Sequence, residues 1–229
     1  MPFNSKLLTN LAYIYFKKEK YEIAKDLCFQ AIDIDPKNYK AKILMGLIKI
    51  RTGEVKEGME ELKEAIKLKP NAKTHKFVLA SQLVSQKAYF EAVEILKDAI
   101  SEFPEFAEAY NNLGIVLAYM EKFREAEKYL KQAVRLNPLR YIYHFNLGEI
   151  YYAEGKYELA LKKYEKVIEL NNKFKPAYVR LGNIYLKKGN IKKAKEMWNK
   201  ALEIDPLDEF VKRNLELLQK TYLTQSEME

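Results

Sequence analysis

An all-α fold of six stacked antiparallel helical hairpins is predicted by three features of this 229-residue sequence. Five prolines, Pro36, Pro70, Pro104, Pro138 and Pro206, follow one another at gaps of 34, 34, 34 and 68 residues, with Asn172 at the skipped place. Counted from Ser5, the chain divides without insertion into repeats 5–38, 39–72, 73–106, 107–140, 141–174 and 175–208, which makes residues 1–229 one array. Small residues recur at fixed places inside every repeat. With 8 Gly, 7 Pro and no short Val/Thr-rich runs between turn clusters, a sandwich or barrel has little support.

Within each repeat the first helix carries a bulky residue at the seventh position (Leu11, Met45, Leu79, Leu113, Leu147, Leu181) and a small one at the eighth (Ala12, Gly46, Ala80, Gly114, Gly148, Gly182). A small side chain lets a second helix cross at the usual 8–10 Å. The break between helices falls at the fifteenth position, where Gly53, Gly155 and Gly189 suit a left-handed helix end and Glu19, Lys87 and Glu121 stand in the other repeats. Two residues on, Tyr21, Val55, Tyr89, Phe123, Tyr157 and Ile191 pin the start of the second helix. That helix is small at the twentieth position (Ala24, Gly58, Ala92, Ala126, Ala160, Ala194) and at the twenty-seventh (Ala31, Ala65, Ala99, Ala133, Val167, Ala201). Between these lie Cys28, Leu62, Leu96, Leu130, Tyr164 and Trp198, large residues filling what the small ones open. The proline ends it.

After the last repeat, Val211, Leu215, Leu218 and Tyr222 mark one apolar face of a helix over 209–222, placed to cap the array. Residues 223–229 read as a flexible tail. No such cap precedes Ser5, so the first hairpin is expected to present an open edge.

Composition narrows function. Hydrophobic residues at 48% and charged residues at 31% supply a core and exclude disorder. A single cysteine excludes a disulfide framework and any multi-thiolate metal site. The start Met-Pro-Phe-Asn-Ser-Lys lacks a secretory apolar core and no run approaches 18 apolar residues, so a soluble cytoplasmic protein without membrane contact is expected. His75 and His144 lie 69 residues apart with no ligand cluster beside either, and His144 occupies a packing position. Cys28 falls at a core position, which suits an inert thiol. No glycine-rich phosphate loop or catalytic triad pattern occurs. Neither catalysis nor a cofactor nor a metal is expected.

These positions together resemble the tetratricopeptide repeat family over about nine-tenths of the chain. The last repeat is nearest the family pattern, with Pro176-Ala177-Tyr178, Leu181-Gly182, Tyr185, Gly189, Ala194, Trp198, Ala201 and Asp205-Pro206 in register. Departures are local: Lys42, Lys76 and His144 replace the aromatic of the fourth position, and Asn172 replaces a proline. Repeats two and three should pack less tightly at their first helices. The resemblance implies a right-handed superhelical solenoid acting as a protein-interaction scaffold or adaptor, with an amphipathic peptide or helix held in a concave groove.

The resemblance also implies which positions of each first helix line the groove. The residues so placed include Tyr13, Phe16 and Lys17; Leu47 and Arg51; Phe77 and Ser81; Asn111, Ile115 and Tyr119; Phe145, Glu149 and Tyr152; and Arg180, Asn183 and Lys187. This lining is apolar and aromatic with basic residues toward its ends, so an acidic-amphipathic protein or peptide partner is expected. Tyr13, Tyr119 and Tyr152 are the strongest contact candidates, because tyrosine joins a large apolar face to a polar tip. Packing between neighbouring hairpins is the alternative role for Ile43, Leu47, Phe77, Phe145 and Val179. Family members that clamp a chaperone's C-terminal carboxylate use lysines where this chain has Asn111 and Pro176, which argues against such a clamp.

A net charge of +8 raises nucleic acid as an alternative. Lysines of the second helices alternate with glutamates, as Lys63 and Lys67 do with Glu60 and Glu64, so no basic stripe forms and nucleic-acid binding is expected to be weak at most. Self-assembly into a homo-oligomer through the terminal edges is the other alternative.

Overall fold

The computed structural model describes residues 4–69 and 73–226, with side chains left out for 73–75 and 219–226. Pro70 and the side chains of His75 and Tyr222, used above, lie outside the described residues. Thirteen α-helices are described: α1 Ser5–Lys17, α2 Tyr21–Ile34, α3 Tyr39–Arg51, α4 Val55–Leu68, α5 Lys73–Ser85, α6 Tyr89–Glu102, α7 Ala107–Tyr119, α8 Phe123–Leu136, α9 Tyr141–Ala153, α10 Tyr157–Leu170, α11 Lys175–Lys187, α12 Ile191–Ile204 and α13 Glu209–Ser226. The chain divides into two compact halves, one ending at Val116 and the other beginning at Leu117. Each half is a stack of antiparallel hairpins. The last helix runs to Ser226, four residues beyond the expected end at 222.

Every helix break inside a hairpin has one design. Glu19, Gly53, Lys87, Glu121, Gly155 and Gly189 all take positive φ, between 58° and 97°. The N–H that follows bonds back across the turn, as Lys20 does to Tyr15 O at 3.0 Å and Asn190 to Tyr185 O at 2.8 Å. This is the Schellman arrangement, which satisfies carbonyls that a helix end otherwise strands. Three repeats enforce the left-handed turn with a residue that disfavours it.

Where chains cross, small residues are obligatory. A Cβ on Gly58 would stand 2.6 Å from Gly46 O and 2.7 Å from Ile50 Cγ1. In the second half Tyr164 and Trp198, both almost wholly buried, occupy the space a Cβ on Gly148 or Gly182 would need. Cys28 is fully buried, and burial pushes its thiol pKa up to about 12, so it packs as a small apolar group.

Polar groups join successive repeats in the first half. Asn38 Oδ1 caps α3 at Ala41 N (3.1 Å), while its amide donates to Ser5 Oγ (2.6 Å) and Thr9 Oγ1 (2.9 Å) on α1. Ser5 Oγ in turn donates to Ala31 O at 2.6 Å. The side chains in this knot are therefore each partnered although mostly out of water.

At the fourth position the departures from an aromatic are compensated. Lys76, 6% exposed, reaches Asp98 at 2.6 Å and Glu102 at 2.5 Å on α6. Burial alone would lower its pKa, but the two carboxylates outweigh burial and raise it, so Lys76 stays charged. Lys42 likewise bridges Glu61 at 3.7 Å and Glu64 at 2.7 Å on α4.

His144 substitutes for tyrosine by reproducing its hydrogen bond. Its Nε2 lies 2.8 Å from Pro138 O, as Tyr178 Oη donates to Asn172 O at 3.1 Å one repeat later. Each links a first helix to the turn six residues before. His144 Nδ1, however, is buried without a partner. Burial lowers the histidine pKa, opposed by the Pro138 carbonyl and aided by Lys163 and Lys166. The unfolded chain then takes up the proton first, so His144 contributes stability above its ordinary pKa of about 6.5, and that contribution fades as pH falls below it. We expect urea stability measured from pH 7 to pH 5 to fall more steeply in the native protein than in His144→Tyr. Parallel slopes would refute this assignment.

Candidate functional site

The first helices of the hairpins carry all the predicted groove residues, and their surroundings separate binding candidates from packing residues. In the first half Tyr13 is 51% exposed and Lys17 Nζ sits 5.6 Å from its ring centroid. Tyr13, Thr9, Ile43 and Leu47 line a cleft of about 430 Å³ between α1 and α3. Clefts of this size with apolar walls and a few polar groups suit ligand side chains. Arg51 is exposed at the last turn of α3.

Other residues of that half face their own fold. Phe16 packs on Tyr21 with centroids 5.8 Å apart, and Phe77 on Phe106 at 6.0 Å. Ser81 Oγ donates to Phe77 O within its own helix at 2.9 Å. Asn111 is 7% exposed and Ile115 half-buried on α7, so neither offers much surface.

In the second half Tyr119 is 61% exposed at the end of α7. Tyr152 packs edge-on with Tyr157 at 5.7 Å, at the positions where Phe16 and Tyr21 make a tilted contact in the first repeat. Arg180 lies 5.4 Å from the Tyr152 ring and Lys187 lies 5.8 Å from Tyr157. The result is a pair of adjacent rings on α9 and α10 flanked at each end by a cation of α11, the geometry of cation–π contact. Its exposed member Lys187 forms no ion pair among the described residues.

Three residues read as groove lining, all half-buried, also contact large core side chains. Glu149 accepts from Tyr164 Oη at 2.5 Å and from Arg180 Nε and Nη2 at 2.8 and 2.7 Å. Asn183 Oδ1 accepts from Trp198 Nε1 at 3.2 Å. Both stand at the ninth position of their repeats, below the polar tip of the large residue at the twenty-fourth. A buried phenol or indole needs an acceptor, and the ninth position supplies it. Burial first, and then Glu149, raise the Tyr164 pKa, so this hydroxyl remains a donor. Phe145 packs on Tyr164 at 5.6 Å and edge-on to Phe174 at 5.0 Å. The spacing of acceptor and aromatic, fifteen residues in both repeats, was present in the sequence as a signal of this pairing.

Among the described residues no group of three or more His, Cys, Asp or Glu could hold a metal ion, and no helix is long and apolar enough to cross a membrane.

Comparison with known proteins agrees with this architecture. Tetratricopeptide repeat models match residues 5–38, 39–72, 112–173 and 151–213, the first two on the repeat boundaries counted from Ser5. PilW, a widely conserved type IV pilus biogenesis factor, aligns with a TM-score of 0.80 at 21% identity over 92% of this chain and 98% of its own. Pseudomonas aeruginosa PilF aligns with a TM-score of 0.77 at 20% identity, covering 93% of this chain and 96% of that one. At these identities the likeness is one of fold. YrrB, a tetratricopeptide protein with an unusual peptide-binding site, aligns with a TM-score of 0.62 at 25% identity over 82% of this chain and 97% of its own. The hairpin period, the left-handed breaks and the matched repeat models place this chain in the tetratricopeptide repeat family.

Proposed function

We propose that the chain is a non-catalytic protein-interaction scaffold that holds an acidic, amphipathic peptide or helix on its first-helix faces. The observation that carries this reading is the pairing of rings with cations on those faces: Lys17 beside the exposed Tyr13, and Arg180 and Lys187 beside Tyr152 and Tyr157. Such a surface gives apolar contact area together with positive charge, which an acidic segment with an apolar edge complements. The match to a peptide-binding tetratricopeptide protein supports the same reading. Tyr119 and Tyr152 are the proposed anchors, and Arg180 is held in place by Glu149. A cytoplasmic setting belongs to the proposal, supported by the free buried thiol of Cys28.

The double variant Tyr119→Ala with Tyr152→Ala should weaken capture of the native partner by about 30-fold, the loss of roughly 2 kcal/mol common for an anchoring tyrosine. Far-UV circular dichroism should show the helices intact. Unchanged capture by the folded double variant would refute the assignment of the face.

A further inference from the structure

A second cleft of the first half includes none of the groove residues just described. It occupies about 1030 Å³ between α4 and the α5–α6 hairpin, at the end where the helix breaks fall. Its walls include Met59 on α4, Leu79 and Leu83 on α5, and Ala88 and Ile95 beside and on α6.

One repeat earlier the equivalent positions carry charge and close the opening. Lys25 and Glu54, the counterparts of Met59 and Ala88, meet at 2.6 Å. Lys49 and Glu61, the counterparts of Leu83 and Ile95, meet at 2.8 Å. The cleft remaining there is about 410 Å³. In the second half the pair recurs with its signs reversed, Glu127 with Lys156 at 3.4 Å, at the positions of Met59 and Ala88. At the junction of the second and third repeats all four of these places carry apolar side chains, and the space stays open.

The rim is acidic although the chain is basic. Glu57 and Glu60 stand three residues apart on α4, as Glu91 and Glu94 do on α6, against Lys56 and Lys63. Lys63 is held by Glu60 at 2.8 Å, and Glu57, Glu91 and Glu94 form no ion pair among the described residues. Carboxylates on both bordering helices around an apolar floor complement a segment with apolar residues on one face and cations on its flanks.

We infer that this cleft is a second docking site, which takes a basic amphipathic helix of a partner protein, opposite in charge to the segment proposed for the first-helix face. Met59 suits such a site because its unbranched thioether adapts to varied side chains. The site is independent of Tyr119 and Tyr152, which lie in the other half.

The test uses two fluorescein-labelled 14-residue helical peptides with leucines at i, i+3, i+4 and i+7, one carrying lysine at its other positions and one glutamate. By anisotropy the full chain carrying Tyr119→Ala with Tyr152→Ala, which removes the proposed anchors for an acidic peptide, should bind the lysine peptide at least about tenfold more tightly than the glutamate peptide. Met59→Lys with Ala88→Glu installs the tie found one repeat earlier and should reduce lysine-peptide affinity about tenfold or more. Tyr119→Ala with Tyr152→Ala should leave it unchanged, which separates this site from the first-helix face. Glu57→Lys with Glu91→Lys, two exposed changes that leave the packing alone, should give the same loss if the closing variant fails to fold. Lysine-peptide binding that survives both the closing and the rim variants, or that is lost with the two tyrosines, would overturn the inference.

Discussion

Trp198→Ala is expected to cost about 3–5 kcal/mol, the range for truncating a buried aromatic side chain. Trp198 is 1% exposed and packs with Tyr178, Ala201, Val211 and Leu218, so it joins the last hairpin to α13. Its removal also leaves Asn183 Oδ1 without the indole N–H it accepts. The cavity cannot close easily, because Gly182 offers no side chain to move into it. Urea denaturation followed by far-UV circular dichroism is the appropriate measurement, since Trp198 is the only tryptophan and its fluorescence is lost with it. A cost under about 1 kcal/mol would show that α13 does not depend on this ring. Asn183→Leu provides the companion result: it should retain most of the packing and lose only the hydrogen bond, about 1–2 kcal/mol.

Gly58→Ala is the second large effect, and its origin is excess rather than loss. The added methyl would meet Gly46 O and the Ile50 side chain at distances no carbon tolerates, and one obstacle is backbone. Overpacking of this kind costs about 1–3 kcal/mol, and the upper end is expected where a main-chain oxygen must shift. Gly46→Ala should act alike, because its methyl would stand 2.7 Å from Gly58 O. The two act on one crossing, so the double variant should be less destabilised than the sum of the single ones. Equilibrium unfolding of the three variants tests this. Additive costs would mean that the helices do not share a single point of closest approach. Gly53→Ala is the control, since that position has open space and only a left-handed φ to disturb.

Both results rest on features that the 34-residue period exposes at once. Helix lengths, the small–large alternation at the crossings, the left-handed breaks and the closing helix all follow from local patterns, because each hairpin is too thin to bury its apolar side without an identical neighbour. The period therefore determined the hairpin stack, its repeat boundaries and its core, down to Cys28, Tyr164 and Trp198 in one structural position.

Tertiary structure decided what the remaining side chains do with that scaffold. The groove pattern of the family treats the ninth position as outward-facing, yet Glu149 and Asn183 turn to Tyr164 and Trp198, because a buried polar tip fifteen residues away outcompetes solvent for the acceptor. Lys76 looked like a packing defect and is an ion pair, since a lysine long enough to reach Asp98 and Glu102 fills an aromatic's place while keeping its charge paired. The cleft at Met59 and Ala88 was invisible residue by residue, because each is an ordinary helix former; it opens at places where, one repeat earlier, Lys25–Glu54 and Lys49–Glu61 form ties. Periodicity reports the interactions that every repeat must make to stack, whereas the sites that distinguish one repeat from the next arise from distances between side chains remote in sequence, and only folding sets those.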